Sequence, residues 1–405
     1  MTKPRRRQAG EGTISPYETK AGTLYLAKWQ EPQVDGTVKA RLKRGFATRK
    51  AAAVHLTDVR ASLRDGSYVA PHKTTVAAHM GAWLDGLRKQ PSTVESYRRN
   101  VRLHVLPYIG ELRLEQLTGT RLTALYRQLE ASGRVGGTGE DKGLSARTVR
   151  YIHTIVHAAL DAAVRDRLLA VNPADAATPP SAKEAAPPEM HYWSAVELRA
   201  FLADREERGD DLLMAWKLLA ATGMRRGELL GLRWGDVDFT TGRVSVRRSA
   251  SLIKTEGNGD RIDVGPTKTG KARVVDLDAQ TLSDLRVYRK ERGALFLSLV
   301  RDEAYVVSDV DGNVRHPYRF SRRFTDAVAQ TRRTLGEDKL KAIRLHDLRH
   351  THATILLAAG VPVKVVSERL GHASPTITLG VYAHVMPGMQ KEAAEQFGAL
   401  MYGGI

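Results

Sequence analysis

The chain has 405 residues, 42% of them hydrophobic and 27% charged, and it has no cysteine. That is enough for two or three packed domains at about 150 residues each, and it excludes disulfide scaffolds, thiolate zinc sites and cysteine nucleophiles. The formal net charge is +18, half of it in residues 1–73 (15 Lys and Arg against 6 Asp and Glu), so a polyanion is the expected partner, nucleic acid ahead of membrane.

No apolar run approaches the roughly 18 residues of a membrane span, and MTKPRRRQAGEG has no apolar stretch behind its charges. A cytoplasmic protein with no membrane partner is expected. Three short strands, 12–18, 23–30 and 38–46, alternate partly apolar with polar and are separated by turn signals. Thr48 is placed to cap a helix over 49–64, stopped by Asp65-Gly66. The exposed face of this sheet is expected to carry Lys28, Lys39, Arg41, Lys43 and Arg44, cations that can touch phosphates on both walls of a groove. A solvated charged face is the competing reading.

Residues 74–175 read as four helices: 75–87, 92–105, 118–131 and, after the Gly-rich loop 134–143, 145–169. Ser92 with Glu95 reads as a capping box behind Pro91. Arg98, Arg99 and Arg102 fall within one turn of the second helix, and Arg147 and Arg150 within one turn of the fourth. Guanidiniums so grouped suit phosphates and guanine edges, or simply solubilise a helix face. The run AATPPSAKEAAPPE, residues 176–189, cannot pack or continue a helix and reads as a semi-stiff linker.

Beyond the linker, Ser194 and Glu197 form a second capping box for a helix through Asp204, and residues 211–222 form an apolar helix broken at Gly223. MRRGELLGLRW turns Leu229, Leu230 and Leu232 to the core. Gly242 turns a hairpin, and strands 261–264 and 273–277 are expected to pair around GPTKTGKA. Helices 282–292 and 320–334 follow. Then HDLRHTHATILLAAGVPVKVVSERLGHASPTITLGVY, residues 346–382, reads as three short helices punctuated by Gly360, Pro362, Gly371 and Ser374-Pro375. It leaves His346, Arg349, His350, His372 and Tyr382 near helix ends, where a phosphate can be gripped. Tyr382 is either a nucleophile or an ordinary half-buried aromatic. A final amphipathic helix over 391–400 places Ala394, Phe397 and Leu400 on one face. The expected fold is multidomain and mostly α with small β: a three-stranded sheet plus helix, a helical domain, and an α+β domain.

Together TGMRRGELLGLRW, TKTGKARVV, HDLRHTHAT and LGHASPTITLGVY resemble, in order and spacing, the signature of the tyrosine recombinases, in particular integrases of temperate phages and integrative elements. GFATRKAA after three strands resembles that family's arm-type DNA-binding domain, and 74–175 its core-binding domain. The resemblance implies an arm-type domain in 1–70, a core-binding domain in 74–175, a linker in 176–189 and a catalytic domain with a C-terminal tail in 190–405. It implies a site-specific recombinase that works through a 3′-phosphotyrosine and a Holliday junction, as a homotetramer on double-stranded DNA with arm-type and core-type sites. An excisionase or a host DNA-bending factor is the implied accessory partner, in the nucleoid of a bacterial host.

By that resemblance Tyr382 is the nucleophile, Arg225 and Arg349 clamp the phosphate, Lys268 protonates the leaving 5′-oxygen, His346 handles the tyrosine proton and His372 bonds the phosphate. The roles make physical sense. A phenol near pKa 10 needs neighbouring cations to react at neutral pH, and a planar, always-charged fork suits a phosphate. Lys271 shares the turn of Lys268; spacing favours Lys268. Glu228, three after Arg225, reads as a partner that orients a guanidinium. No cofactor or metal is expected, because the phosphodiester energy is kept in the protein–DNA bond and neither a P-loop nor a paired-Mg²⁺ carboxylate cluster is visible.

Two rivals remain. His346 and His350 have the i, i+4 spacing of a zincin helix, with His372 or His384 as a third ligand, but Asp347 replaces the usual Glu and Arg349 would repel a dication. A DNA-binding regulator keeping the fold without the chemistry has no use for Tyr382. Type IB topoisomerases share the chemistry but not a separate basic arm. His350 and His352 read as structural or DNA-facing.

Overall fold

The computed structural model describes residues 12–32, 37–66, 68–70, 72–136, 142–255, 259–267, 270, 272–382 and 389–402, with the side chains at 254–255, 260, 381–382, 389–393 and 396 outside that description. The chain divides into two compact units, Met1–Pro187 and Pro188–Ile405.

In the first unit, turn residues and alternation give an antiparallel sheet of β1 (Thr13–Thr19), β2 (Gly22–Pro32) and β3 (Val38–Phe46), in that order. Thr48 accepts a hydrogen bond from Ala51 N at 3.1 Å and so opens α1 (Arg49–Asp65), which stops at Gly66 with φ of 76°. Leu56 and Val59 of α1 pack on Trp29, whose Nε1 donates to the Tyr68 hydroxyl at 3.1 Å. The strand register corrects one expectation. Glu31, Trp29 and Ala27 stand opposite Lys39, Arg41 and Lys43, so those three cations lie on the side of Trp29, which faces α1. Lys28, opposite Leu42, faces the other way, as does Arg44, which stands over Tyr17. The five cations therefore divide between two faces because strand side chains alternate with period 2. Arg41 is half-buried against Glu31.

The helices of this unit are α2 (Val76–Asp85), α3 (Pro91–His104), the short α4 (Leu106–Ile109), α5 (Gly119–Ser132) and α6 (Ala146–Arg165). Thr75, Thr118 and Ser145 cap α2, α5 and α6 through their hydroxyls. The Ser92–Glu95 capping box does not form. Pro91, with φ preset for the first helical turn, takes N1, Gln90 becomes the N-cap, and Ser92 is already helical. Along α6, Val149, Ile152, Val156, Leu160 and Ala163 form the i, i+3, i+4 stripe that fills the core against Met80, Val101, Leu122 and Leu129. The helix ends at Arg165, four residues short of the expected end, and Arg167 takes a left-handed φ of 57°.

The second unit opens with the expected reciprocal cap: Ser194 N donates to Glu197 at 2.8 Å and Glu197 N to Ser194 Oγ at 3.2 Å. Then come α7 (Ala195–Glu207), α8 (Leu213–Thr222), α9 (Arg226–Leu230), β4 (Val237–Asp238), β5 (Arg243–Val246), β6 (Arg248–Thr255), β7 (Gly259–Pro266) and β8 (Arg273–Asp276). These are followed by α10 (Ala279–Leu295), α11 (Pro317–Leu335), α12 (Asp347–Ala358), α13 (Val363–Leu370), α14 (Pro375–Tyr382) and α15 (Met389–Tyr402). Trp193, Phe201, Trp216, Phe320 and Phe324 meet in tilted and edge-to-face contacts at the centre of its core. Strand pairing differs from the expectation. β8 pairs with β5 in the order β4-β5-β8, and β7 pairs with β6 as a separate hairpin. Val244 lies opposite Val275, and both are buried, so long-range apolar matching sets the partner of β8 rather than the local turn. Pro362 is the N-cap of α13, one residue before the expected N1 position.

Candidate active site

The site starts where α8 stops. Gly223 adopts φ of 62°, and a Cβ there would lie 2.7 Å from both His352 Cδ2 and Leu370 Cδ2. Glycine is thus required twice, for the left-handed turn and for the close approach of α12 and α13. The Gly223 carbonyl accepts from Arg349 Nη1 at 2.8 Å, so the break in α8 orients a guanidinium of α12 that is only 4% exposed.

Arg225 follows two residues later as the N-cap of α9. Its backbone N donates to Glu228 Oε2 and its Nη1 to Glu228 Oε1, both at 2.9 Å. Glu228 is buried and also takes Nη1 and Nη2 of Arg273, at 3.1 and 2.7 Å. Burial pushes the Glu228 carboxyl up, but the bonds and charges of Arg273 and Arg225 outweigh it, and the group is held below the usual carboxylate range. The expected partnership of Glu228 with a guanidinium is present with two arginines. Arg273 was missed by sequence reasoning, because one arginine at the head of a strand looks like any solvated cation.

His346 occupies the N-cap position of α12, and Arg349 follows it by three residues in that helix. Asp347, fully buried, accepts from Arg344 N at 2.8 Å and so fixes the turn that presents His346. The His346 and His350 rings meet edge to face, 5.2 Å between centroids. Burial first, then Arg349, with Arg225 and Arg344 adding and Asp347 opposing, lowers the His346 pKa from its ordinary value. His372 follows the left-handed Gly371, and its Nδ1 lies 2.8 Å from Thr378 Oγ1. Burial, then the charges of Arg349, Arg225, His350 and Arg273, brings it to about 4. Residues from α9, α12 and the end of α13 thus converge in one electropositive cluster: Arg225, His346, Arg349 and His372.

Lys268 and Lys271 lie outside the described residues. Their turn is bounded by buried Thr267, whose carbonyl accepts from Gly270 N at 2.8 Å, and by Arg273 at the start of β8. Tyr382 is the last residue of α14, and its side chain lies outside the description. The candidate DNA-contact residues Arg98 and Arg99 of α3 and Arg147 of α6 are exposed, and Arg102 is half-buried. Arg98 pairs with Asp85 at 3.0 Å, and Arg150 Nη1 donates to Pro180 O at 2.8 Å. Tyr97 and Tyr151, with ring centroids 6.0 Å apart, bring α3 and α6 side by side. His352 is buried, with Nδ1 2.8 Å from Ala220 O, a packing role. Among the described residues no group of three or more His, Asp or Glu side chains could hold a metal ion, and no helix is long and apolar enough to cross a membrane.

The imidazoles set a pH dependence. Burial brings His350 and His352, like His372, to about 4. An unfolded histidine binds its proton near pH 6.5, so as pH falls the unfolded state gains protons first. The stability these groups confer is complete above pH 6.5 and is lost as pH falls toward 4. For buried His352 alone the loss at pH 4 is on the order of 3 kcal/mol. Urea melts at pH 7.5 and 4.5 should show the difference, and His352→Gln should reduce it; equal midpoints would contradict the assignment.

The phage integrase family model matches residues 195–388. The chain is 24% identical over 372 residues to the tyrosine recombinase XerC-like protein of Caldanaerobacter subterraneus subsp. tengcongensis, spanning 87% of this chain and 90% of that protein. It is 26% identical over 319 residues to the ICEBs1 integrase of Bacillus subtilis, spanning 77% and 79%. Among solved structures, the lambda integrase in its tetramer bound to a Holliday junction has a similar fold, with a TM-score of 0.54 at 16% identity over 93% of this chain and 96% of that one.

Proposed function

We propose, from the premise that this chain belongs to the phage integrase family of tyrosine recombinases, that it is the integrase of a mobile element. It is a site-specific DNA recombinase that cuts and rejoins strands. In the proposed step the Tyr382 oxygen attacks the scissile phosphorus. The bond from phosphorus to the 5′-oxygen breaks, and the protein is left on the 3′ side as a phosphotyrosine. The phenol proton passes to His346, whose lowered pKa keeps it neutral and able to accept near pH 7. Lys268 gives its proton to the departing 5′-oxygen. Arg225 and Arg349 neutralise the non-bridging oxygens, and His372 donates to one of them. A second strand's 5′-hydroxyl reverses the step, and two rounds pass through a Holliday junction. No metal or nucleotide enters the balance.

The observation that carries this reading is the gathering of Arg225, His346, Arg349 and His372 from α9, α12 and the end of α13 into one electropositive cluster, with Tyr382 at the end of α14. The matching experiment is a nicked suicide duplex, which traps the covalent intermediate when the short 5′ fragment diffuses away. An EDTA-resistant adduct at the 3′ end is expected; an adduct at the 5′ end, or cleavage lost in EDTA, would contradict the chemistry.

We assign residues 1–70 to arm-type sites and 74–175 to core-type sites on double-stranded DNA. The 176–189 linker joins them to the 190–405 catalytic domain, and four copies assemble on the DNA in a bacterial cytoplasm. An excisionase or host bending factor would set direction. On α15, Phe397 and Leu400 are 61% and 85% exposed, apolar surface that a neighbouring protomer would cover. Deleting residues 1–70 should reduce the slope of log binding constant against log salt on arm-site DNA, by about 0.9 for each phosphate that the arm neutralises. Core-site cleavage should survive. An unchanged slope would remove the basic sheet from the interface.

A further inference from the structure

Arg273 belongs to neither the clamp nor the proton relay, yet its side chain is only 12% exposed and three of its donors are engaged. It starts β8, directly after the turn that carries Lys268. Its Nη1 and Nη2 grip Glu228 Oε1 and Oε2, the same two oxygens that take Arg225 Nη1 and the Arg225 backbone N. Its Nε donates to the Arg369 carbonyl at 2.9 Å, in the last turn of α13 and three residues before His372. Gly371 has the left-handed φ of 66°, and a Cβ there would lie 2.9 Å from Arg273 Cδ, so the guanidinium lies flat against the end of α13. One planar fork at the head of β8 therefore touches both the carboxylate behind Arg225 and the peptide that leads into His372. A lysine could satisfy only one of these at a time.

We propose that Arg273 is a positioning residue that sets Arg225 against the scissile phosphate through the shared Glu228 carboxylate, while fixing the His372 end of α13 through the Arg369 carbonyl. The inference rests on the reading of Arg225 as a phosphate clamp. Arg273 never meets DNA; it decides where Arg225 can point.

The test uses the full chain on suicide DNA whose scissile link is either a normal phosphate or a methylphosphonate. The methylphosphonate is uncharged and lacks one non-bridging oxyanion, so accurate aim of a guanidinium matters less there. With normal DNA, Arg273→Gln should lower single-turnover cleavage about 10- to 100-fold while DNA affinity stays within about 3-fold. With methylphosphonate DNA the deficit should shrink to under about 5-fold, in parallel with Arg225→Ala. Equal deficits on both DNAs, or none on either, overturn the proposal, since a merely structural lesion does not distinguish the two links. If Arg273→Gln does not fold, Arg273→Lys, which keeps the charge but loses the two-point grip, carries the same comparison. Failure of the wild-type chain to form an adduct would sink the recombinase reading itself. Relief in Arg225→Ala without relief in the Arg273 variants would sink only the positioning role. No relief in Arg225→Ala removes the clamp and the inference with it.

Discussion

Arg349→Lys should lower the rate of strand cleavage by about 10²- to 10³-fold while leaving DNA affinity nearly unchanged. The expectation follows from how the guanidinium is held. Its Nη1 is spent on the Gly223 carbonyl at 2.8 Å, which fixes the plane of the fork from the break in α8. The side chain is almost wholly buried, so its charge acts at low dielectric, where it is worth more than in water. It is the first charge after burial to act on His346 and on His372, the two imidazoles assigned to the proton and the phosphate. Lysine keeps the charge but ends in a point. It can reach the Gly223 carbonyl or a phosphate oxygen, not both in one plane. Single-turnover cleavage on suicide DNA, with affinity by equilibrium titration, checks this; a loss of less than 3-fold would remove Arg349 from the chemistry.

The second large effect belongs to Tyr382. Tyr382→Phe deletes one oxygen, and the proposed step has no other nucleophile, so adduct formation should fall to background. Binding should not, because the substitution removes a single hydroxyl and leaves the ring and every charge in place. Stability should change by less than about 1 kcal/mol. A variant that still became covalently attached would move the nucleophile to another residue.

Much of this site was legible locally. Gly223, Gly360 and Gly371 announce the ends of α8, α12 and α13, and all three take left-handed φ as expected of such stops. Arg225, His346, Arg349 and His372 lie in short stretches whose order and spacing carry the family resemblance. What was not legible depends on contacts between distant residues. Arg273 meets Glu228 across 45 residues and the Arg369 carbonyl across 96, and no periodicity encodes either contact. The pairing of β8 with β5 was misread for the same reason: the turn beside β8 looked like a hairpin, whereas burial of Val244 against Val275 decided the partner. At α3 two local signals competed, and Pro91 at N1 prevailed over Ser92 as cap. In the N-terminal sheet, counting cations did not reveal which face each occupies; the pairing of Trp29 with Arg41 did.

The most direct test of the recombinase chemistry is to identify the amino acid that becomes bonded to DNA. Suicide-substrate adduct, digested with nuclease and then with trypsin, should yield a nucleotide-bearing peptide covering residues 370–391, LGHASPTITLGVYAHVMPGMQK, in which Tyr382 is the single tyrosine. Fragmentation should place a 3′-linked phosphate on that phenol. Attachment to a serine, a histidine or a tyrosine elsewhere in the chain would contradict the mechanism, whatever the fold resembles.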